Sequence, residues 1–323
     1  MQVMILAAGR STRLGELGAM LPKPLVPICG YPAIAFGLAL CRRAGLIDVV
    51  VNLHHHGELI RRVLGDGAGH GVSIRYSEED ELLGTGGGIR KARALFRSEP
   101  VLVMNGKVVV DLDVAALVAA HRAAPEGTVA TMVLRQDAHM DRWTPVGIDL
   151  TGRVVSLRHQ RTDHTPVGSI SDQMFTGVQV LESALLDRLP AGVSDVIGDA
   201  YVPALVAGAR IQSFPIQGYF AEHSTPERYL EGNLTLLRKP GLVPHPPGPL
   251  VGVDATAFVD PGAQLVLPVR VAAGAIIEAG ATVGPDVVIG AGARVRRGAR
   301  VEKSVVWPGA VVDGEVRATV VRE

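Results

Sequence analysis

Residues 269–298 read VRVAAG AIIEAG ATVGPD VVIGAG ARVRRG, five six-residue units with an apolar side chain at every third place: Val271, Ile277, Val283, Ile289 and Val295. The same phase runs outward to Val253, Val259 and Leu265 on one side, and to Val301 and Trp307 on the other. A glycine or another small residue returns near each corner. An ordinary turn-rich sheet would not hold ten hexads in phase. The period predicts a parallel β-helix, in which stacked coils bury what one coil cannot. Three hexads per coil predict about three coils, with Trp307 on the inward side of its hexad.

This repeat is expected to form a domain of its own, residues 251–323. It contains no histidine, the last being His245, so acyl transfer relying on a histidine base is not expected there. A packing platform is expected instead, for the preceding domain or for another subunit. The uncapped end of the stack invites self-association. Just upstream, RKPGLVPHPPGPL holds five prolines, which predicts a stiff Pro/Gly-rich linker over 239–250.

Residues 1–238 follow a different rule. VMILAA, DVVVNL, VSIRYS, VLVMNG and TVATMVLR read as strands, separated by helical stretches such as IAFGLALCRRAG, GELIRRVLGD and LDVAALVAAHRAA. Short apolar strands alternating with amphipathic helices predict an α/β domain with a Rossmann-like, mainly parallel sheet. Its ligand crevice should lie beyond the carboxyl ends of the strands. With 32 basic and 32 acidic side chains the formal charge is zero. A broad electrostatic footprint for nucleic acid is therefore not expected, though a local phosphate site is allowed. The first apolar run ends at Gly9, no stretch has the length of a membrane span, and Cys29 and Cys41 have no metal-ligand spacing. A cytoplasmic protein with two buried thiols and no membrane partner is expected.

Two glycine-containing turns follow strands. In LAAGRSTRLG, residues 6–15, the backbone from Leu6 through Ala8 and Gly9 can approach phosphate oxygens closely, followed by Arg10 and Ser11. Arg13 and Lys23 add further cations suited to a polyphosphate. In ELLGTGGGIRKA, residues 81–92, Leu83, Gly84, Thr85 and Gly86 can present backbone groups to the edge of a flat ring. Neither turn is a Walker loop or a dinucleotide fingerprint, and no G-x-S-x-G elbow is present.

With PKPLVPICGYP, LLGTGGGI, VLVMNG, FTGVQVL and TPERYLEGN added, the chain resembles the sugar-1-phosphate nucleotidyltransferase family. The likeness is to its mannose-1-phosphate guanylyltransferase-like branches with a C-terminal left-handed β-helix. It implies transfer of a nucleotidyl group from a nucleoside triphosphate to a sugar 1-phosphate, with release of pyrophosphate. It gives Arg13 and Lys23 the catalytic phosphate contacts and Leu83–Gly88 the base, with a lean toward GTP. Phe175, Thr176 and Gly177 fall in the sugar pocket, and His159 falls near the sugar-phosphate lysine.

The resemblance also implies Mg2+ held by two aspartates, and here the chain departs. The positions are Lys107 and Glu222, and Ser11 replaces a loop glycine. An ammonium offers no lone pair to a metal, whereas Glu222 still offers a carboxylate. Lys107 can be a solvent-facing lysine without a role. It can place its ammonium where the metal would be and contact phosphates. Or it can be an engineered substitution, or belong to a still-active protein that uses other ligands such as Asp111 or Asp113, although those acids fit a helix start better. Two function classes follow: a transferase with weak or lost activity, and a non-catalytic nucleotide or nucleotide-sugar binding subunit. The second would work as a homo-oligomer, or with an active homologue through the β-helix.

His54-His55-His56 follow a strand whose side chains alternate in direction, so a loop role is expected rather than a metal site. Asp195 and Asp199 share a helix face with no assignable partner. Trp143 and Trp307 are expected to pack.

Overall fold

A computed structural model describes residues 1–323, which divide into two compact units. The first comprises residues 1–10, 37–108 and 112–218; the second comprises 11–36, 109–111 and 219–323.

The first unit is built on a ten-stranded mixed sheet. The strand Gln2–Leu6 lies between Asp48–Leu53 and Val101–Asn105, parallel to both, with Ser73–Glu78 parallel beyond Asp48–Leu53. These strands are runs of Val, Ile, Leu and Met because both faces are covered: Val3, Met4, Val49, Val50, Val101 and Val103 are fully buried. After residue 145 antiparallel pairing enters, while Arg210–Ile216 still lies parallel to Thr128–Arg135. Val146–Ile148, Val154–Leu157 and the long strand Ser171–Leu181 pair antiparallel; between the first two the connection is too short for the crossover a parallel pair needs. The central strands end together at Leu6, Leu53, Glu78 and Asn105, so their following turns share one edge of the sheet.

The second unit contains the repeat as three parallel sheets of five, four and four strands, the arrangement of a left-handed β-helix. The stack has about four coils rather than three, since residues 311–323 continue it. Gly252 pairs with Arg270 and Arg270 with Val288, eighteen residues apart each time. Val271, Ile277, Val283, Ile289, Val295 and Val301 fill the interior, as the hexads require.

The phase then slips. Val288 pairs with Val305 and Ile289 with Val306, seventeen residues on. Lys303, held at φ 49°, turns a corner one residue tighter than the Gly284-Pro285-Asp286 corner below it. Val306 therefore fills the interior, and Trp307 points out of the stack, contrary to its place in the hexad count.

Trp307 packs edge-to-face against Tyr229 with ring centroids 6.3 Å apart. Its Nε1–H donates to the Tyr229 hydroxyl (2.9 Å), which donates to the Pro27 carbonyl (2.7 Å). Tyr229 belongs to the helix Pro226–Arg238, which starts at the Thr225 cap with proline in its first turn. At its last residue, Arg238 forms a two-pronged pair with Asp286 (2.9 and 2.7 Å). The proline-rich segment is anchored too: Val243 and Leu250 are buried in the same cluster as Tyr229 and Trp307. Trp143 is only half-buried. Cys29 and Cys41 are buried free thiols, both pushed up to about 12 by burial. No helix is long and apolar enough to cross a membrane.

Truncating Trp307 tests the slip. Trp307→Phe removes one hydrogen bond and should cost about 1 kcal/mol, whereas Trp307→Ala should cost about 3–5 kcal/mol. Chemical denaturation followed by circular dichroism would measure both.

Candidate functional site

The strand-end edge of the first unit is organised by two polar side chains buried among apolar ones. Asn52, at the end of Asp48–Leu53, accepts from the Ala7 amide through Oδ1 (2.8 Å) and donates through Nδ2 to Glu79 Oε1 (2.6 Å). The second Glu79 oxygen accepts from the Leu83 amide (3.0 Å). Asn52 and Glu79 are only 2% and 5% exposed. One bridge thus joins the turn after the first strand to the glycine-rich turn. The Ala7 amide is used here, while Gly9 and Arg10 are exposed beyond it.

The glycine-rich turn opens the helix Gly84–Ala92, with Leu83 as its cap. Leu83 uses both backbone groups internally: its amide on Glu79, and its carbonyl on the Ser194 amide (2.9 Å). The Gly86 amide donates to the Ser194 carbonyl (2.9 Å). Glycine is required where this helix meets residues 192–194, since a Cβ on Gly87 would stand 2.2 Å from the Gly192 carbonyl oxygen. The Thr85 hydroxyl donates to Asp195 Oδ1 (3.0 Å), and Asp195 also receives the Gly198 amide (2.8 Å) and pairs with Arg158 (2.7 Å). Asp199 accepts from the Asp195 amide (2.7 Å). The two aspartates that lacked assignable partners in the sequence therefore hold the turn.

Two further stretches reach the same edge. Gly106 continues the ladder by donating to the Leu6 carbonyl (3.0 Å), and the half-buried Lys107 follows. Phe175, Thr176 and Gly177 lie at a register break in Ser171–Leu181, with Thr176 Oγ1 donating to the Val133 carbonyl (2.8 Å). Gly177, at φ 80°, is pressed against Asn105: a Cβ there would be 2.1 Å from the Asn105 amide nitrogen. Phe175 lines a cavity of about 110 Å3 together with Arg158. His159 is not part of that lining; it is exposed at a left-handed turn, and its neighbour Arg158 stands there instead. His54 meets the Glu79 carbonyl through Nδ1 (3.0 Å), and His56 caps the helix Gly57–Leu64 in a left-handed conformation. The three histidines thus form a loop, as expected from the alternation.

The second unit carries the remaining residues. Ser11 is held in the left-handed conformation (φ 59°), at a cost of roughly 1–2 kcal/mol. Its Oγ accepts from the Lys23 amide (2.8 Å), which ties the loop to the turn Lys23–Leu25. The Glu222 carboxylate, side chain 10% exposed, lies 3.5 Å from the Arg13 guanidinium and 4.0 Å from that of Arg228. Back in the first unit, Asp113 is a helix cap, its carboxylate accepting from the Ala116 amide (2.9 Å).

A nucleotidyl transferase family profile matches residues 2–207. The chain belongs to that family. It is 30% identical over 279 residues to a mannose-1-phosphate guanylyltransferase of Mycobacterium tuberculosis, spanning 84% of this chain and 75% of that protein. It is 41% identical over 193 residues to an N-acetylmuramate alpha-1-phosphate uridylyltransferase of Neisseria meningitidis, 59% of this chain and 80% of that one. Among solved structures, HddC from Yersinia pseudotuberculosis superposes with a TM-score of 0.60 at 21% identity, covering 73% of this chain and 99% of its own. That likeness supports the nucleotidyltransferase fold.

The family works with a divalent metal and acts on nucleoside triphosphates and sugar 1-phosphates. The donor set in this chain does not fit the metal. Position 107 offers an ammonium, Glu222 already neutralises guanidinium charge, and no group of three or more His, Cys, Asp or Glu is placed to hold an ion. At about 4 Å and an effective dielectric of about 20, an ammonium repels a divalent cation by roughly 8 kcal/mol.

Asn52, Glu79, Asp195 and Arg158 are the site residues that motif reading missed. Their one signal in the sequence is a polar residue interrupting an apolar run, as Asn52 does in DVVVNL. Glu79→Gln would exchange a charged acceptor of two buried donors for a half-donor and should cost roughly 1.5–3 kcal/mol. Thermal denaturation should show the loss, with weaker nucleotide binding in the same preparation.

Proposed function

We propose that this chain binds a nucleoside triphosphate or nucleotide sugar at the strand ends of its first unit, and that transfer to a sugar 1-phosphate is weak or lost. The observation that carries the reading is Lys107, directly after the strand-end Gly106. An ammonium there can neutralise a phosphate but cannot supply the ligand field or the double charge of a metal ion. Arg10 supplies further positive charge for the phosphates, the resemblance alone adds Arg13 and Lys23, and the Leu83–Gly86 turn takes the base, with GTP favoured. The intact supports of that turn and the left-handed loop conformation at Ser11 favour binding over a degenerate pocket.

On this reading, residues 1–238 act as the nucleotide-binding domain, 239–250 as its linker and 251–323 as a docking platform. The protein would be a cytoplasmic regulatory or partner subunit, self-associating or joined to an active homologue through the β-helix. Mg2+ would be the family's ion, and this chain would bind nucleotide without it.

Product formation from nucleoside triphosphates and a panel of sugar 1-phosphates, followed by mass spectrometry with magnesium present, tests the reading. The unmodified protein should give little or no nucleotide sugar, and Lys107→Asp with Glu222→Asp should raise the yield. Robust turnover by the unmodified chain would refute the binding-subunit reading. A second check is magnesium dependence: nucleotide affinity of the unmodified chain should be insensitive to the ion, and that of the double variant should increase with it.

A further inference from the structure

The cavity beside Phe175 belongs wholly to the first unit, and the nature of its walls is unusual for a sugar site. Met132, Val146 and Leu157 come from the buried core of that unit, with Phe175 and Ile197 packed against the same cluster. The one charged side chain on the lining is Arg158, whose guanidinium is half-exposed and paired with Asp195, the carboxylate that also holds Thr85. A volume of about 110 Å3 suits a substituent of about four heavy atoms and not a second sugar ring.

Arg158 is placed there by strained backbone. Val154–Leu157 and Gln160–Arg161 form a hairpin closed by Arg158 and His159, at φ 48° and 67°. Such two-residue turns favour Asn-Gly, because both central residues must be left-handed. Two bulky side chains in that conformation are an outlier of the kind that clusters at ligand sites.

Hydroxyl groups of an unsubstituted hexose would lose water against Met132, Val146 and Leu157 and gain no partner. An acyl methyl or a short alkoxy chain would lose nothing there. A guanidinium at the edge of such a pocket, with one prong on Asp195, can take a carboxylate or phosphate through its remaining N–H groups. We infer that the sugar 1-phosphate recognised by this chain carries a short acyl or alkoxy substituent, which fills this cavity while Arg158 engages an anion on the same ligand. The anion is either the 1-phosphate or a carboxylate on the substituent. The inference rests on the reading of the strand-end site as a nucleotide and sugar-phosphate site, and it deepens that reading by naming the sugar class.

Calorimetric titration of the full chain with glucose 1-phosphate, mannose 1-phosphate, N-acetylglucosamine 1-phosphate and N-acetylmuramate 1-phosphate tests it. The two acylated sugars should bind about tenfold or more tightly than the two bare hexoses. Val146→Phe, which fills the cavity from its floor, should collapse that ratio. Thr144→Trp, at the exposed rim of the same cavity, should do the same without touching the core. Arg158→Gln separates the sources of the anion: equal losses for all four ligands assign the 1-phosphate, and a loss confined to N-acetylmuramate 1-phosphate assigns the carboxylate. No loss for any ligand would overturn the role of Arg158. Equal affinity for bare and acylated sugars would overturn the cavity assignment. Nucleotide titrations run alongside distinguish the two readings, because a chain that prefers acylated sugars yet binds no nucleotide refutes the nucleotide site alone.

Discussion

A buried carboxylate with no cation among its hydrogen-bonding partners sets the geometry of the first unit. Glu79 is hydrogen-bonded to the Asn52 side chain and the Leu83 amide, and Asn52 in turn holds the Ala7 amide. Burying a carboxylate is costly unless its lone pairs are matched, so this bridge tolerates little displacement of the strand ends it joins. The turn after the first strand and the glycine-rich turn are thereby held in one arrangement. The Thr85–Asp195–Arg158 chain extends that arrangement to the cavity beside Phe175.

What the site can do follows from its charges. The first unit ends its strands in backbone amides and cations, with Arg10 and Lys107 among them and no carboxylate at position 107. In the second unit Glu222 lies against Arg13 and Arg228. Cations at the strand ends of the first unit attract anionic ligands and disfavour a free divalent ion. Binding needs only complementarity to the ground state, while transfer needs charge stabilisation that grows toward the transition state. On the proposed reading the family fold supplies the first, and Lys107 and Glu222 stand where the resemblance puts the source of the second.

Much was legible from the chain because periodicity reports burial. The hexads specified the three-sided stack, and the apolar runs specified the strands; Thr128–Arg135 coincides with TVATMVLR. Misplacements arose where a local count met a distant constraint. Trp307 left the hexad phase because one corner is a residue shorter, and its partner is Tyr229, 78 positions earlier. His159 and Arg158 close a tight hairpin, and it is Arg158 that lines the cavity.

By itself the sequence determined the family, the two kinds of architecture and the identity of the residue at position 107. These depend on local patterns of apolar side chains, glycines and charges, which the chain carries wherever it folds. Tertiary structure alone decided which polar residues support the site. Asn52, Glu79, Arg158 and Asp195 lie far apart in the chain and share no motif spacing. Their hydrogen bonds depend on the register of parallel strands and on close approach at Gly87 and Gly177, which exist only once the sheet has closed over its core.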